Sequence, residues 1–565
     1  MIRFALASLC MTGAAGAAPM QAEHSLSIKL APQTVDGRVD AIAVTEKFDV
    51  APLPVGALLL SLPIITESVP GVLRDTATLV AHDDAGPLPL QRIDDPVDPT
   101  QMKQDHHWYT RRATSGPVTV SYVARPRVIT AATKPAALVD MRTEGAGIYG
   151  STKVLFAVPA SGWPRQVHIE WDLTAMAPGS QAVSSFGEGN TDATVDAATL
   201  GLGYFMAGPW YRLPATANDG FMLYYLSQPD FDLRAAAHDV AATYDYASQF
   251  FGTEAQPFRA LMRTTERFQG GGGGGRNSFI FGAVKGAPLP LDEVKTLLTH
   301  EALHNWIGSL QKGPQGLWFV EGATEYYAAL LPYRLGHRTV AQMAAQIDSW
   351  TAGYYANPQR TMGEDDAAAA FWRDADAQLL PYNRGPLYIA LVDARLRAAS
   401  NGQQRVDALV RNMVRALRAG NASEALWLSL VTSALGERGQ RDFADLKAGR
   451  MLDLPDDLFG PCFHRIAGPL RRYLPGFKFE VAADGRHIVG SVRAGSAAAT
   501  AGLMHGDEVL NWQVMAYDVR QYAAPMTLKV KSATLTHDVT IDPWGPASNG
   551  YRWIAVLPRP DDCHL

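Results

Sequence analysis

His300-Glu301-Ala302-Leu303-His304 and, seventeen positions on, Glu321 constrain the fold of this chain more than any other residues. Imidazoles four apart can meet at one point only if the residues around them are helical. The flanking sequence agrees: the segment from Leu291 to Trp306 opens with Asp292 and Glu293 and sets Val294, Leu297 and Leu298 toward a core. Leu317 to Leu331 reads as a second helix that could deliver Glu321 to the same point. Two histidines and a carboxylate with one open position make a site for one zinc ion per chain. Glu301 lies one step round the helix from the ligand direction. That places it as general base and then acid, beside a metal that would acidify a water and polarise a scissile carbonyl. Glu325, one turn beyond Glu321, shares its face and is either a partner for a ligand histidine or solvent-exposed.

At 565 residues the chain exceeds a single core, and three or four domains are expected. Apolar residues at 47% and charged residues at 19% describe a folded globular protein. A net charge of -6 gives no reason to expect nucleic acid as a partner. Met1-Ile-Arg3 followed by an apolar run from Phe4 to Ala18, with small residues at Ala15-Gly16-Ala17, reads as a secretory signal over 1–22. Cleavage after Ala17, Ala18 or Ala22 is equally readable, and the expected location is periplasmic or secreted. The run is too short to span a bilayer, and no later segment suits one. Cys10 behind Leu9 is a poor lipidation context. Beyond the signal, Cys462 and Cys563 are left, either as one disulfide or as two separate buried thiols.

From Ser25 to Gly208 short alternating segments are broken by Pro and Gly, as in Ser25–Leu30, Val118–Val123 and Gln166–Trp171, and predict an antiparallel β domain. The adjacent His106 and His107 would point to opposite faces of a strand, which argues against a shared metal. From about Asp230 the pattern turns helical, through Ala235–Phe250, Val340–Thr351, Leu387–Ala399 and Arg405–Ala419. It returns to strands after Pro455.

The string His300–Trp306 with Glu321-Gly-Ala-Thr-Glu-Tyr-Tyr327 resembles the gluzincin metallopeptidases, and among them the glycyl aminopeptidase family. Sixteen residues separate His304 from Glu321, slightly fewer than in the larger related aminopeptidases. The resemblance implies a multidomain α+β chain with peptides as substrates. Its parts would be an N-terminal β domain (23–215), a thermolysin-like zinc domain (216–335), a helical domain (336–455) and a PDZ-like domain (456–565). It also implies a preference for small N-terminal residues, Gly or Ala. Leu380-Pro-Tyr-Asn-Arg-Gly-Pro386 is similar to the family's Tyr-x-Lys-Gly segment, which makes Tyr382 the oxyanion donor and puts Arg384 where the family has lysine.

The glycine run Gly270–Gly275 corresponds to the family's glycine-rich edge strand, so Gly273, Gly274, Gly275 and Asn277 are candidate substrate contacts. The family's amine-binding glutamate is absent there. Glu325 or another acid would have to hold a free α-amine, and a flexible loop is the other reading of the run. At the C-terminus, Pro475–Phe477, Gly495–Leu503 and Gly506–Leu510 resemble a bacterial PDZ domain, which would receive a peptide C-terminus or act as a structural cap. A zinc endopeptidase on the same site and a non-catalytic PDZ-type peptide-binding protein are the alternatives.

Overall fold

Period-two alternation becomes strands with one buried face: His24–Val35 buries Leu26, Ile28 and Leu30 and turns the residues between them outward. The computed structural model describes residues 6–7, 24–73, 79–98, 103–129, 133, 137–216, 220–252, 256–265, 272–275, 277–284, 290–310, 316–371, 373–482, 486–511, 524–556 and 565. The strand His24–Val35 lies inside a seven-stranded sheet between Arg38–Phe48 and Arg165–Trp171. One departure from the antiparallel expectation appears here, because Arg165–Trp171 runs parallel to His24–Val35, with Arg165 opposite His24. The intervening chain builds other strands of this sheet and parts of the neighbouring sheets before it re-enters from the same end. Two five-stranded sheets complete this domain. One orders Arg142–Glu144, Gly147–Ser151, Tyr204–Gly208, Gln181–Ser184 and Gly187–Glu188, and the other is centred on Leu58–Thr66 and Gln104–Thr110. His106 and His107 diverge as expected, His106 onto Asp94 (2.6 Å) and His107 onto Asp95 (2.8 Å).

The core of this domain holds an acid. Glu46 is fully buried and accepts hydrogen bonds from the Tyr122 hydroxyl (2.8 Å) and the Ala157 N–H (2.9 Å). Burial outweighs these donors and pushes its pKa up to about 8. A raised acid favours folding while protonated. Its contribution is therefore complete below the ordinary carboxylate range and is lost as pH climbs through about 8. Over that span the loss amounts to a few kcal/mol. The melting temperature is expected to fall across this window in the native chain and to stay flat in Glu46→Gln. Parallel calorimetric pH profiles for the two proteins would refute this.

A six-stranded sheet follows, ordered Gly272–Gly275, Ser278–Val284, Phe258–Thr265, Phe221–Tyr225, Tyr211–Leu213, with Leu6–Ala7 paired parallel to Gly272–Gly273 at its outer edge. The helix Leu233–Phe251 links two parallel strands of this sheet and packs Val240, Tyr244 and Phe251 into the largest core. Asp232 caps its start through the Ala235 N–H, and Gly252 ends it in the left-handed conformation (φ 65°).

Helices then run to Lys447. The helix expected from Leu387 begins at Leu380. Pro381 and Pro386 read as breakers in sequence, yet Pro381 sits in the first turn, where no N–H is needed. The helix Leu317–Arg334 crosses it with glycines in contact: a Cβ on Gly322 would lie 2.5 Å from the Cα of Gly385.

At the C-terminus, Phe463–Leu470 and Ser548–Ala555 form an antiparallel ribbon against the helix Val340–Tyr355, with Arg552 paired to Asp348. Between the ribbon strands lies a five-stranded antiparallel sheet with its own core of Val489, Leu528 and Val530. Cys462 is disulfide-bonded, while Cys563 lies outside the described residues. No helix among the described residues is long and apolar enough to cross a membrane.

Candidate active site

Residues Leu291–Leu303 form the first site helix, with Asp292 and Glu293 in its first turn and Val294, Leu297 and Leu298 buried. His300 lies in its last turn and His304 caps its C-terminus. Their rings stand 4.9 Å apart and nearly perpendicular. Glu321, in the second turn of Leu317–Arg334, reaches the same point: its Oε2 lies 3.2 Å from His300 Nε2 and 3.7 Å from His304 Nε2. The ligand atoms of these three residues all fall within 4.8 Å of one another.

The hydrogen bonding suits a cation. His304 Nδ1 donates to the Ile307 carbonyl (3.0 Å), which leaves the buried Nε2 as a bare lone pair with no protein partner among the described residues. Burial lowers both histidine pKa values, so the imidazoles are neutral and able to coordinate. Three convergent donors, two of them unprotonated imidazoles, fit a zinc ion with one position left open.

Glu301 is 2% exposed, and its Oε1 has no hydrogen-bond partner among the described residues. Burial, then Glu321 and Glu325, push its pKa well above the ordinary carboxylate range. Tyr382, near the start of Leu380–Ala399, lies against His300 with ring centroids 5.9 Å apart. Burial and then the carboxylates of Glu321 and Glu301 raise its pKa strongly, which keeps the phenol protonated as a donor. Arg384 is held away from this point in a buried pair with Glu364, with Nε 2.9 Å from Oε1.

Glu325 is placed behind the site. Its Oε1 lies 3.7 Å from His300 Nδ1, the nitrogen turned away from Glu321. One helical turn past Glu321, the side chain faces the imidazole edge that is turned away from Glu321.

The glycine strand turns out to be packed against another domain. A Cβ on Gly273 would lie 2.3 Å from the Tyr204 hydroxyl, and one on Gly275 would lie 2.5 Å from the Leu202 carbonyl. Tyr204 donates to the Gly274 carbonyl (3.5 Å). Side chains are thus excluded from Gly273 and Gly275 by the N-terminal domain, while the outer backbone edge still pairs with an extended segment. Asn277 sits at the hairpin turn with φ 46° and gives its carbonyl to the Arg259 N–H (3.0 Å). Nothing in the sequence marks Tyr204 as part of this site.

The fold has known counterparts. An aminopeptidase N family protein from Idiomarina loihiensis superposes with a TM-score of 0.65 at 14% identity, covering 94% of this chain and 98% of its own. Weaker likenesses are an M1 zinc metallopeptidase from Deinococcus radiodurans (TM-score 0.44, 16% identity, 76% of this chain and 94% of that one) and the yeast leukotriene A4 hydrolase (TM-score 0.45, 13% identity, 77% and 69%). No protein-family model matches the chain, and no curated protein matches it in sequence.

Proposed function

We propose that this chain, which has the fold of an aminopeptidase N family protein, is an exported zinc-dependent peptidase that removes small residues, Gly or Ala, from peptide N-termini. One observation carries the reading: His300, His304 and Glu321 converge on one buried point with Glu301 and Tyr382 beside it. A zinc ion held by these three residues would supply a Lewis acid and a water acidified toward neutrality. Glu301 takes the proton of the attacking water and carries it to the departing amine. Tyr382 donates to the oxygen that gains negative charge. The outer edge of Gly272–Gly275 receives the peptide backbone as an added strand, the position taken here by Leu6–Ala7 of the signal segment. The C-terminal five-stranded domain is part of the same proposal as a PDZ-like module. It is supported by Phe477–Val481 lying at a sheet edge, where a peptide strand would add.

A diverse peptide library incubated with the purified chain and read by mass tests this. Stepwise loss of N-terminal Gly and Ala, abolished by a chelator and restored by zinc, is the expected result. Internal cleavage of N-acetylated peptides would favour the endopeptidase reading, and no cleavage with no bound zinc would end the enzyme reading. Glu325→Gln is expected to weaken zinc binding about 10- to 100-fold by chelator competition, with kcat at saturating zinc nearly unchanged. Unaltered zinc affinity would refute the bracing role of Glu325.

A further inference from the structure

A cavity of about 800 Å³ opens where the N-terminal β domain meets the six-stranded sheet. None of His300, Glu301, His304, Glu321 or Tyr382 lines it. Two residues that do, Arg127 and Arg142, reach a fully buried acid behind its wall, Asp140. Arg142 Nε lies 2.6 Å from Asp140 Oδ2 and Arg127 Nη1 lies 3.2 Å from the same oxygen. A third arginine, Arg263, places Nη1 2.8 Å from Oδ1. One carboxylate thus answers three guanidinium groups, which keep their charge at any ordinary pH. Arg142 begins the strand Arg142–Glu144 of the N-terminal domain and Arg263 lies in Phe258–Thr265, so the cluster also joins the two bodies.

The surplus charge is not met within the cavity. Arg142 is 8% exposed, and beyond Nε its guanidinium has no hydrogen-bond partner among the described residues. Beyond Nη1 the same holds for Arg127. The Nε of Arg263 is buried and equally bare. Burial and then the Arg263 charge lower the pKa of Arg142, as expected of a guanidinium short of counter-charge. The acids nearby do not supply it. Asp40 is paired with Arg125 at the exposed rim, and Glu144 accepts from the Thr264 N–H (2.8 Å) with its pKa raised by burial. In and behind the cavity Arg38, Arg125, Arg127, Arg142 and Arg263 stand against Asp40, Asp140, Glu144 and Asp230, so positive charge leads even with every acid ionised. Buried charge without a partner is costly, and an anion from solution would supply the partner.

We propose that this cavity is a binding site for a small dicarboxylate, with one carboxylate on the free end of Arg142 and the other on Arg127. Each guanidinium end is a planar fork, which matches a planar carboxylate through two parallel hydrogen bonds. Two separate forks call for two carboxylates on a short carbon chain, and Val39 and Ile129 offer apolar wall to its methylene groups. Because Arg142 is tied through Asp140 to Arg263, the bound ligand strengthens the joint between the N-terminal domain and the six-stranded sheet.

Calorimetric titration of the full zinc-loaded chain with succinate, acetate and inorganic phosphate tests this. Succinate is expected to bind about tenfold more tightly than acetate and to raise the melting temperature. Arg127→Met is expected to weaken succinate binding about 30-fold, as loss of a charge-assisted hydrogen-bond pair implies, with zinc content unchanged. Arg127→Lys keeps a charge beside Asp140 without the fork, so a smaller loss is expected there, and it serves as the test if the methionine variant does not fold. Succinate held by the zinc ion would bind both variants as it binds the native chain, and that result would overturn the proposal. So would tighter binding of phosphate than of succinate, equal affinity for acetate, or no binding of succinate at millimolar concentration.

Discussion

Glu301→Gln is expected to lower kcat on a cleavable peptide about 10³-fold while zinc stays at one per chain. Glutamine keeps the shape of the buried side chain, so the helix Leu291–Leu303 and the two histidines it carries stay in place. What is lost is an oxygen able to take a proton and return it, a contribution of about 10² to 10⁴. Glu301 suits that task because it is buried beside the point where His300, His304 and Glu321 converge, and its Oε1 has no protein hydrogen-bond partner among the described residues. Kinetics with metal analysis on the same preparation separates the two effects. A variant with full zinc and more than a tenth of native kcat would mean that another group moves the proton.

Tyr382→Phe is expected to lower kcat about 10²-fold with KM little changed, the signature of a donor that acts only when charge develops. The hydroxyl is buried beside Glu321 and Glu301 and has no hydrogen-bond partner of good geometry among the described residues. A buried donor without a partner costs stability, so its removal is expected to leave the melting temperature equal or higher. Loss of zinc or a lowered melting temperature in this variant would give Tyr382 a structural role instead.

The zinc donor set was readable because helical periodicity alone fixes where His300, Glu301 and His304 point. Glu321 followed from a second apolar helix, and Tyr382 from a short segment resembling a known family. The helix carrying Tyr382 begins earlier than its apolar period suggests: Pro381 suits its first turn, and the helix also accommodates Pro386 in its interior. The parallel pairing of His24–Val35 with Arg165–Trp171 depends on how distant segments meet, which no local pattern encodes. The same holds for Tyr204, whose place against the glycine strand depends on how distant segments pack. The glycine run pointed to a close approach of peptide backbone or to a flexible loop. That a tyrosine from another domain fills the space could not be read from the run.

The contact between Gly322 and Gly385 ties two catalytic parts into one piece. Glu321 is the neighbour of Gly322 and Tyr382 lies one turn before Gly385, so backbone touching backbone couples the fluctuations of ligand and phenol. A tilt of one helix against the other would press these two backbones together, so Glu321 and Tyr382 are expected to keep their relative placement.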